Sequence, residues 1–380
     1  MTTATPLPRD QFPVTREWAY LNNAGMAPIP RPAAEAMSRR AVELARDGEL
    51  AWPHQRDHVE TVRERGARVL GVPTDDVAFI RNTTAGLGLV ANGLDLGPGD
   101  RVVVADLDFP SALYPWLALR ERGVRVDLVS PVGPGETLPV EAFADVIAAG
   151  PPPAVVATGW VQFRRGWRVD LPALARITHD AGALLCADVI QGLGVVPAAL
   201  DAWGVDLAMA DGHKWLLAPP GTGLLYVRAE HRARLRPLEP GWNSMTHREQ
   251  WDERRFAYDD TARRYEGGIP NVTGVAALGA ALDLLLVAGV PAIWAHVDRL
   301  CEHLRDGLTR LGATVLTDRS AGHGSGIVSA TFPGRDTELL GTRLRDAGVV
   351  VGARSGAMRI SPHGYNTVAE VDRLLDGLAR

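Results

Sequence analysis

Between about residues 70 and 230 the chain repeats short apolar runs separated by amphipathic stretches, and this repeat limits its fold more than any other feature. "RVVVAD" (101–106), "VRVDLV" (124–129), "AVVATG" (154–159), "ALLCAD" (183–188), "DLAMAD" (206–211) and "GLLYVR" (223–228) are β-branched or leucine-rich, with little polar alternation. A strand with one wet face alternates; a strand covered on both faces does not. The runs therefore read as strands of a mostly parallel sheet, with helices between them on both of its faces. In "DLPALARITHDAG" Asp170 can cap the first turn, Pro172 suits it and Gly182 suits the end. "VETVRERGARVLG" gathers Val59, Val62, Val69 and Leu70 on one helical face before Gly71, and "EVDRLLDGLAR" is another amphipathic helix. "VAALGAALDLLLVAGV", broken by Asp283, is short for a membrane span and reads as a buried helix. The fold class is α/β.

A chain of 380 residues accommodates one large domain with a smaller one attached. The net charge of −5 gives no basic footprint for nucleic acid, and the mixed charges leave no polybasic patch for a membrane. The opening "MTTATPLPRDQFPV" lacks the charged and apolar regions of a signal peptide. Cys186 and Cys301 lie far apart and form no CxxC pair, which argues against a disulfide framework or zinc site and fits a cytoplasmic location. His54 and His58 have the spacing of a helical metal pair, but no third ligand or glutamate base accompanies them, so no metal is expected.

"ADGHKWLLAPPGTGLLYV" (210–227) places Lys214 between an apolar run and a glycine-proline turn. It is not a P-loop, because Leu224 and Leu225 follow Gly223 where Lys and Ser/Thr are needed. No GxGxxG follows the first strand either, so a nucleotide-dependent oxidoreductase is not supported. Asp188 closes the strand "LLCAD", and ligands of parallel sheets bind at the carboxyl ends of strands. A carboxylate there could hold a cationic ring nitrogen, and a partly desolvated lysine can lose its proton and form a Schiff base. In "RNTTAGLGLVANGL" (81–94), Thr83 and Thr84 offer hydroxyls before an apolar helix whose free N–H groups favour a phosphate. Aspartate, imine-forming lysine and phosphate cradle are together what pyridoxal 5'-phosphate (PLP) requires.

With these residues the chain resembles the class V aminotransferase family of PLP-dependent enzymes, which includes cysteine desulfurases, selenocysteine lyases and isopenicillin N epimerase-like proteins. The resemblance runs from "YLNNAGMAP" (20–28) to "RISPHGYNT" (359–367), and its most specific part is "ADVIQG" followed by "ADGHKW". It implies fold type I, with a large PLP-binding domain over 20–260 and a small domain built from 1–19 and 261–380. By the same resemblance Lys214 would carry the cofactor and shuttle the substrate α-proton, and Asp188 would pair with the ring nitrogen. Gln191 would bond the ring's phenolic oxygen, Phe109 would stack on the ring, and Thr83, Thr84 and His213 would hold the phosphate. Arg359 would clamp the substrate carboxylate, with Asn22 and Asn23 helping. A homodimer with a shared active site is implied, with "RRYEGGIPN" (263–271) reaching the partner's phosphate and Ile269 standing where relatives have threonine.

Several residues depart from the family pattern. "VVVGARSGAMR" (349–359) has no cysteine where desulfurases carry their nucleophile, and neither Cys186 nor Cys301 matches it. Phe163 replaces the ring-oxygen asparagine of desulfurases, leaving Gln162 as a substitute. Asp211 replaces a serine and is expected to point toward backbone donors or Arg164–Arg165. Arg354 either binds a substrate side chain or salt-bridges its loop. The irregular 242–255 stretch forms a specificity wall or an interface. The expected substrate is an amino acid, with C–S β-elimination of an L-cysteine S-conjugate favoured by likeness to isopenicillin N epimerase-like proteins, some of them in lincosamide-type biosynthesis. Decarboxylation-linked oxidative deamination, transamination or epimerisation of an ordinary amino acid, and a non-catalytic PLP-fold module are the alternatives.

Overall fold

The computed structural model describes residues 5–250, 252 and 254–379, so Trp251 and Glu253 of the 242–255 stretch lie outside the described residues. Seven strands form the main sheet: β1 Val77–Ile80, β2 Arg101–Ala105, β3 Arg125–Val129, β4 Val155–Gly159, β5 Leu184–Asp188, β6 Leu207–Asp211 and β7 Gly223–Val227. Their order is β1-β7-β6-β5-β4-β2-β3. Only β7 runs against its neighbours, and every other pairing between adjacent strands is parallel. The six apolar runs of the sequence are all strands. A seventh, β1, is added at the edge beyond β7.

The absence of polar alternation has the expected cause. Val102, Val104, Val155, Ala157, Leu184 and Cys186 enter one apolar core, while Val103, Ala105, Val156, Leu185 and Ala187 enter another. Successive side chains of a strand point to opposite faces, so each face of this sheet has its own core. Helices α3 (Thr83–Gly93) and α4 (Pro110–Ala118) fill the first with Leu87, Val90 and Trp116. The second takes Val59 and Val62 from α2 (Trp52–Leu70), Phe143 from α5 (Val140–Ala148) and Leu171 and Leu174 from α6 (Leu171–Asp180). Asp170 caps α6 by accepting from the Ala173 N–H, as expected. Gly71 ends α2 at φ 69°, a left-handed conformation that favours glycine.

Helix α7 (Val272–Ala288) is the apolar run read as buried; Asp283 breaks its pattern by pairing with Arg65 at 2.6 Å. It lies against α2 and against α1 (Arg31–Asp47). No single helix among the described residues is long and apolar enough to cross a membrane. After α8 (Val290–Arg310) comes a four-stranded antiparallel sheet of β8 (Thr314–Val315), β9 (Val328–Thr331), β10 (Gly352–Arg354) and β11 (Ala357–Ile360), in the order β10-β11-β9-β8. Helices α9 (Thr337–Asp346) and α10 (Val368–Ala379) complete this part. The early segment Ala19–Tyr20 pairs in parallel with Val349–Val350 as a separate two-stranded sheet, which ties the start of the chain to the segment between α9 and β10.

Candidate active site

Chain order reverses between β2 and β4, the sheet position outside which α/β proteins form ligand crevices. A cavity of about 180 Å3 opens near there, at the carboxyl ends of β5 and β6. Thr83, Thr84, Phe109, Asp188, Gln191, His213, Lys214, Arg354 and Arg359, predicted from different parts of the sequence, all line it.

Asp188 ends β5 and is buried. Its Oδ1 accepts from the Ile190 N–H at 3.0 Å, and Oδ2 has no hydrogen-bond partner among the described residues. Burial raises this carboxyl, with the Asp108 charge adding and Lys214 opposing. Lys214 sits in the turn after β6 and is only 8% exposed; burial lowers its pKa, against the pull of Asp188. Burial favours the neutral amine while Asp188 favours the ammonium, and the buried carboxylate is one that a new cation would stabilise. Lys214 Nζ lies 5.5 Å from the centre of the Phe109 ring. That ring is 43% exposed and meets Phe163 edge to face at 5.3 Å, leaving room for a planar partner.

At the other end, Asn82 caps α3 by accepting from the Ala85 N–H. Helix starts leave their first N–H groups free for an anion, and the Thr84 hydroxyl stands there, bonded to Ser111 at 2.8 Å. The Thr83 hydroxyl accepts from the Asp211 N–H at 2.9 Å, tying the helix start to the end of β6. Gly86 makes that approach possible, because a Cβ there would come 2.9 Å from Met209.

Arg359, on β11, is 1% exposed. Its Nη1 donates to the Phe163 carbonyl at 2.8 Å, while Nε and Nη2 are buried without a partner. These two nitrogens form one edge of the guanidinium, the edge that grips a carboxylate with two parallel bonds. Burial, then the nearby Arg354 charge, push this guanidinium down to about 9.

Other expectations are corrected. Asn23 does not reach the cavity: its amide donates to the Ser361 carbonyl at 2.8 Å and accepts from the Tyr365 hydroxyl at 2.7 Å. Asn22 ends the bridged segment and Asn23 begins a turn, so the two side chains point different ways. Asn22 stands beside the cavity, with a buried Oδ1 that has no partner and lies 2.8 Å from where Gly25 or Gly352 would carry a Cβ. Gln162 turns away, bonding Glu136 and the backbone N–H groups of Arg164 and Arg165, so Phe163 alone faces inward. Asp211 does not meet Arg164–Arg165, which pair with Glu136. Its carboxylate lies 2.8 Å from His213 Nδ1, because the turn after β6 folds that ring back on it. The Gln191 amide bonds the Ala24 carbonyl and the Trp215 indole, which leaves one N–H over. Ile269 is 64% exposed and lines a different cleft, with Arg81 and Asn271.

Asp108 was missed by the sequence reading. It accepts from the Phe109 N–H at 2.9 Å and the Gly159 N–H at 2.6 Å, joining the segment after β2 to the end of β4. Burial raises its carboxyl to about 6 despite both bonds.

The "Aminotransferase class-V" family profile matches residues 19–374. A probable cysteine desulfurase of Methanothermobacter thermautotrophicus is 29% identical, over 96% of this chain and 95% of its own length. An uncharacterized aminotransferase, YcbU, of Bacillus subtilis is 30% identical, over 98% and 96%. Among solved structures, the cystine C-S lyase C-DES with its product cysteine persulfide superposes at TM-score 0.89 with 23% identity, covering 97% of this chain and 99% of that one. A C-DES mutant with glycine covalently linked to PLP gives 0.90 at 22%, covering 98% of each.

Proposed function

The chain belongs to the class V aminotransferase family of PLP-dependent enzymes, and on that premise we propose that it is a C–S lyase that β-eliminates the thiol from an L-cysteine S-conjugate. The cavity's unmet needs fit the cofactor. Asp188 Oδ2 lacks a hydrogen-bond donor among the described residues, the Phe109 face lacks a planar partner, and the start of α3 is suited to an anion. Lys214 would hold PLP covalently, Asp188 its ring nitrogen, and Thr84 with the helix start its phosphate. Bound there, PLP supplies an electron sink for the electrons of a broken α-carbon bond.

The chain's own groups then have defined tasks. Arg359 takes the α-carboxylate on its two empty N–H groups and fixes the amino acid's orientation. Lys214, whose burial favours the neutral amine, removes the α-proton. The C–S bond breaks with its electron pair leaving on sulfur as thiolate. Water then converts the three-carbon fragment to pyruvate and ammonia. Asp108 holds the Phe109 backbone and so steadies the ring wall.

What carries this reading is where the thiols are. No cysteine lines the cavity among the described residues. Cys186 is inside β5 with its thiol pushed up by burial, and Cys301 is buried in α8 with its thiol raised to about 11. A nucleophile needs accessible thiolate, so neither can accept sulfur from a substrate, and the leaving sulfur departs with its own substituent. A homodimer is part of the same reading: exposed Ile269 would face the cavity of a second copy.

The test incubates PLP-loaded protein with S-substituted cysteines and identifies products by mass. Pyruvate, ammonia and one equivalent of thiol are expected. An aldehyde with carbon dioxide would mean decarboxylation. Inverted conjugate, or pyridoxamine with the keto acid, would move the assignment to epimerisation or transamination.

A further inference from the structure

Arg354 and Arg359 lie on the two strands of one hairpin. Gly352 stands opposite Arg359, and Arg354 opposite Ala357. Opposite residues of an antiparallel pair share a face, as do residues two apart on one strand. All four therefore share a face, with the two smallest residue types beside two guanidiniums. Both arginines line the Lys214 cavity. The connecting turn has two residues, Ser355 and Gly356, at φ 49° and 74°. Such a left-handed pair makes a tight hairpin turn that fixes register, so Arg354 ends a paired strand and is not carried on a long loop.

Both carboxylates that line the cavity already have a neighbour. Asp211 lies against His213, Asp188 interacts with Lys214, and Arg359 awaits an α-carboxylate. Arg354 is left over. Its Nη1 bonds only the adjacent Ala353 carbonyl, and no carboxylate pairs with it among the described residues. Its charge nonetheless reaches the reacting groups, since it pushes both Lys214 and Arg359 downward. A second anion at this rim would relieve that repulsion.

We propose that Arg354 is a specificity residue for a second carboxylate, so that the preferred substrate is a cysteine S-conjugate whose leaving thiol itself bears a carboxylate. Diagonal neighbours across such a pair have Cβ atoms up to about 7–8 Å apart, a spacing that suits the two ends of a short thioether amino acid. Arg359 holds the buried end and exposed Arg354 the outer end, where the leaving group emerges. The chemistry rests on the elimination reading; the recognition does not.

The experiment therefore measures turnover and binding separately. Turnover compares S-carboxymethyl-L-cysteine with its near-isostere S-carbamoylmethyl-L-cysteine in the wild type and Arg354→Gln. Binding compares L-α-aminoadipate, which has no sulfur to eliminate, with L-norleucine, followed by the visible spectrum of PLP-loaded protein. The wild type should favour the anionic member of each pair by about 10–100-fold, the usual worth of a charge-assisted bond, and Arg354→Gln should lose most of that preference. A retained aminoadipate preference without any elimination would sink the lyase reading and leave this one standing. No preference in the wild type, or an equal loss for neutral and anionic compounds in the variant, overturns the assignment.

Discussion

Asp188 and Asp206 are both buried aspartates at ends of parallel strands in one sheet, yet their surroundings treat them in opposite ways. Asp206 precedes β6 and touches the beginning of β5, accepting from the Leu185 N–H at 2.7 Å, with His179 and His231 each 2.9 Å away. Burial would raise its carboxyl, but these partners together hold it below the usual range. Asp188, at the far end of β5, has one backbone N–H and a like charge nearby, and its carboxyl is raised. The arginines repeat the contrast. The side chains of Arg319 and Arg359 are both buried, but Arg319 bonds Asp298, Glu302 and the Ser325 carbonyl, whereas Arg359 bonds a single carbonyl. Buried charges are ordinarily satisfied, and the exceptions call for a ligand. One end of this sheet is finished by its own residues; the other is left incomplete.

The sharpest break of that contrast is Lys214→Ala. It should reduce turnover by at least the roughly 10^2–10^4-fold of a lost general base, and remove the visible band of covalently held cofactor that borohydride otherwise fixes. Normal turnover in this variant would refute the site. A paired experiment compares the two aspartates by urea unfolding of cofactor-free protein. Asp206→Ala strands a buried N–H and two imidazoles and should cost about 3 kcal/mol. Asp188→Ala removes a carboxylate the fold barely supports and should change stability by less than about 1 kcal/mol, while shifting the cofactor's visible band. Equal losses of stability would erase the distinction between the two ends.

This contrast also marks what could be read in advance. Strands β2 to β7 were legible because both faces are covered and apolar side chains follow one another without interruption. Strand β1 was not, being four residues between a turn and Arg81. Lys214, Asp188 and Arg359 were legible through spacing that resembles a family. Residues whose roles depend on how a turn folds were not. Asn22 and Asn23 are neighbours that part company where a bridged segment gives way to a turn. Gln162 and Phe163 exchange places at a turn, and Asp211 meets His213 only because β6 ends in a tight reversal. Asp108 escaped because an aspartate just before "FP" looks like an ordinary helix cap, and only the fold brings Gly159 to it.

Asp108 also supplies the smallest and most diagnostic effect. Its carboxyl has a native value of about 6, above the 3.8 of an unperturbed aspartate. A group raised on folding binds its proton more tightly in the native state, so its stabilising contribution is complete below about pH 4. That contribution is lost as the pH rises through about 6. Asp108→Asn cannot titrate, so the stability of wild type minus variant, measured by urea unfolding without cofactor, should fall between pH 4 and 6. The fall should be on the order of 1–2 kcal/mol after screening, and the difference should be flat below about pH 4. Losing one of its two backbone bonds shifts the variant's stability by about 1 kcal/mol at every pH, which offsets the curve without bending it. Removing the like charge also lowers the Asp188 carboxyl, so the variant should need less of a cation's help to keep that carboxylate ionised. Parallel pH profiles would instead make Asp108 a simple cap on the Phe109 turn, with no electrical connection to the unfinished end of the sheet.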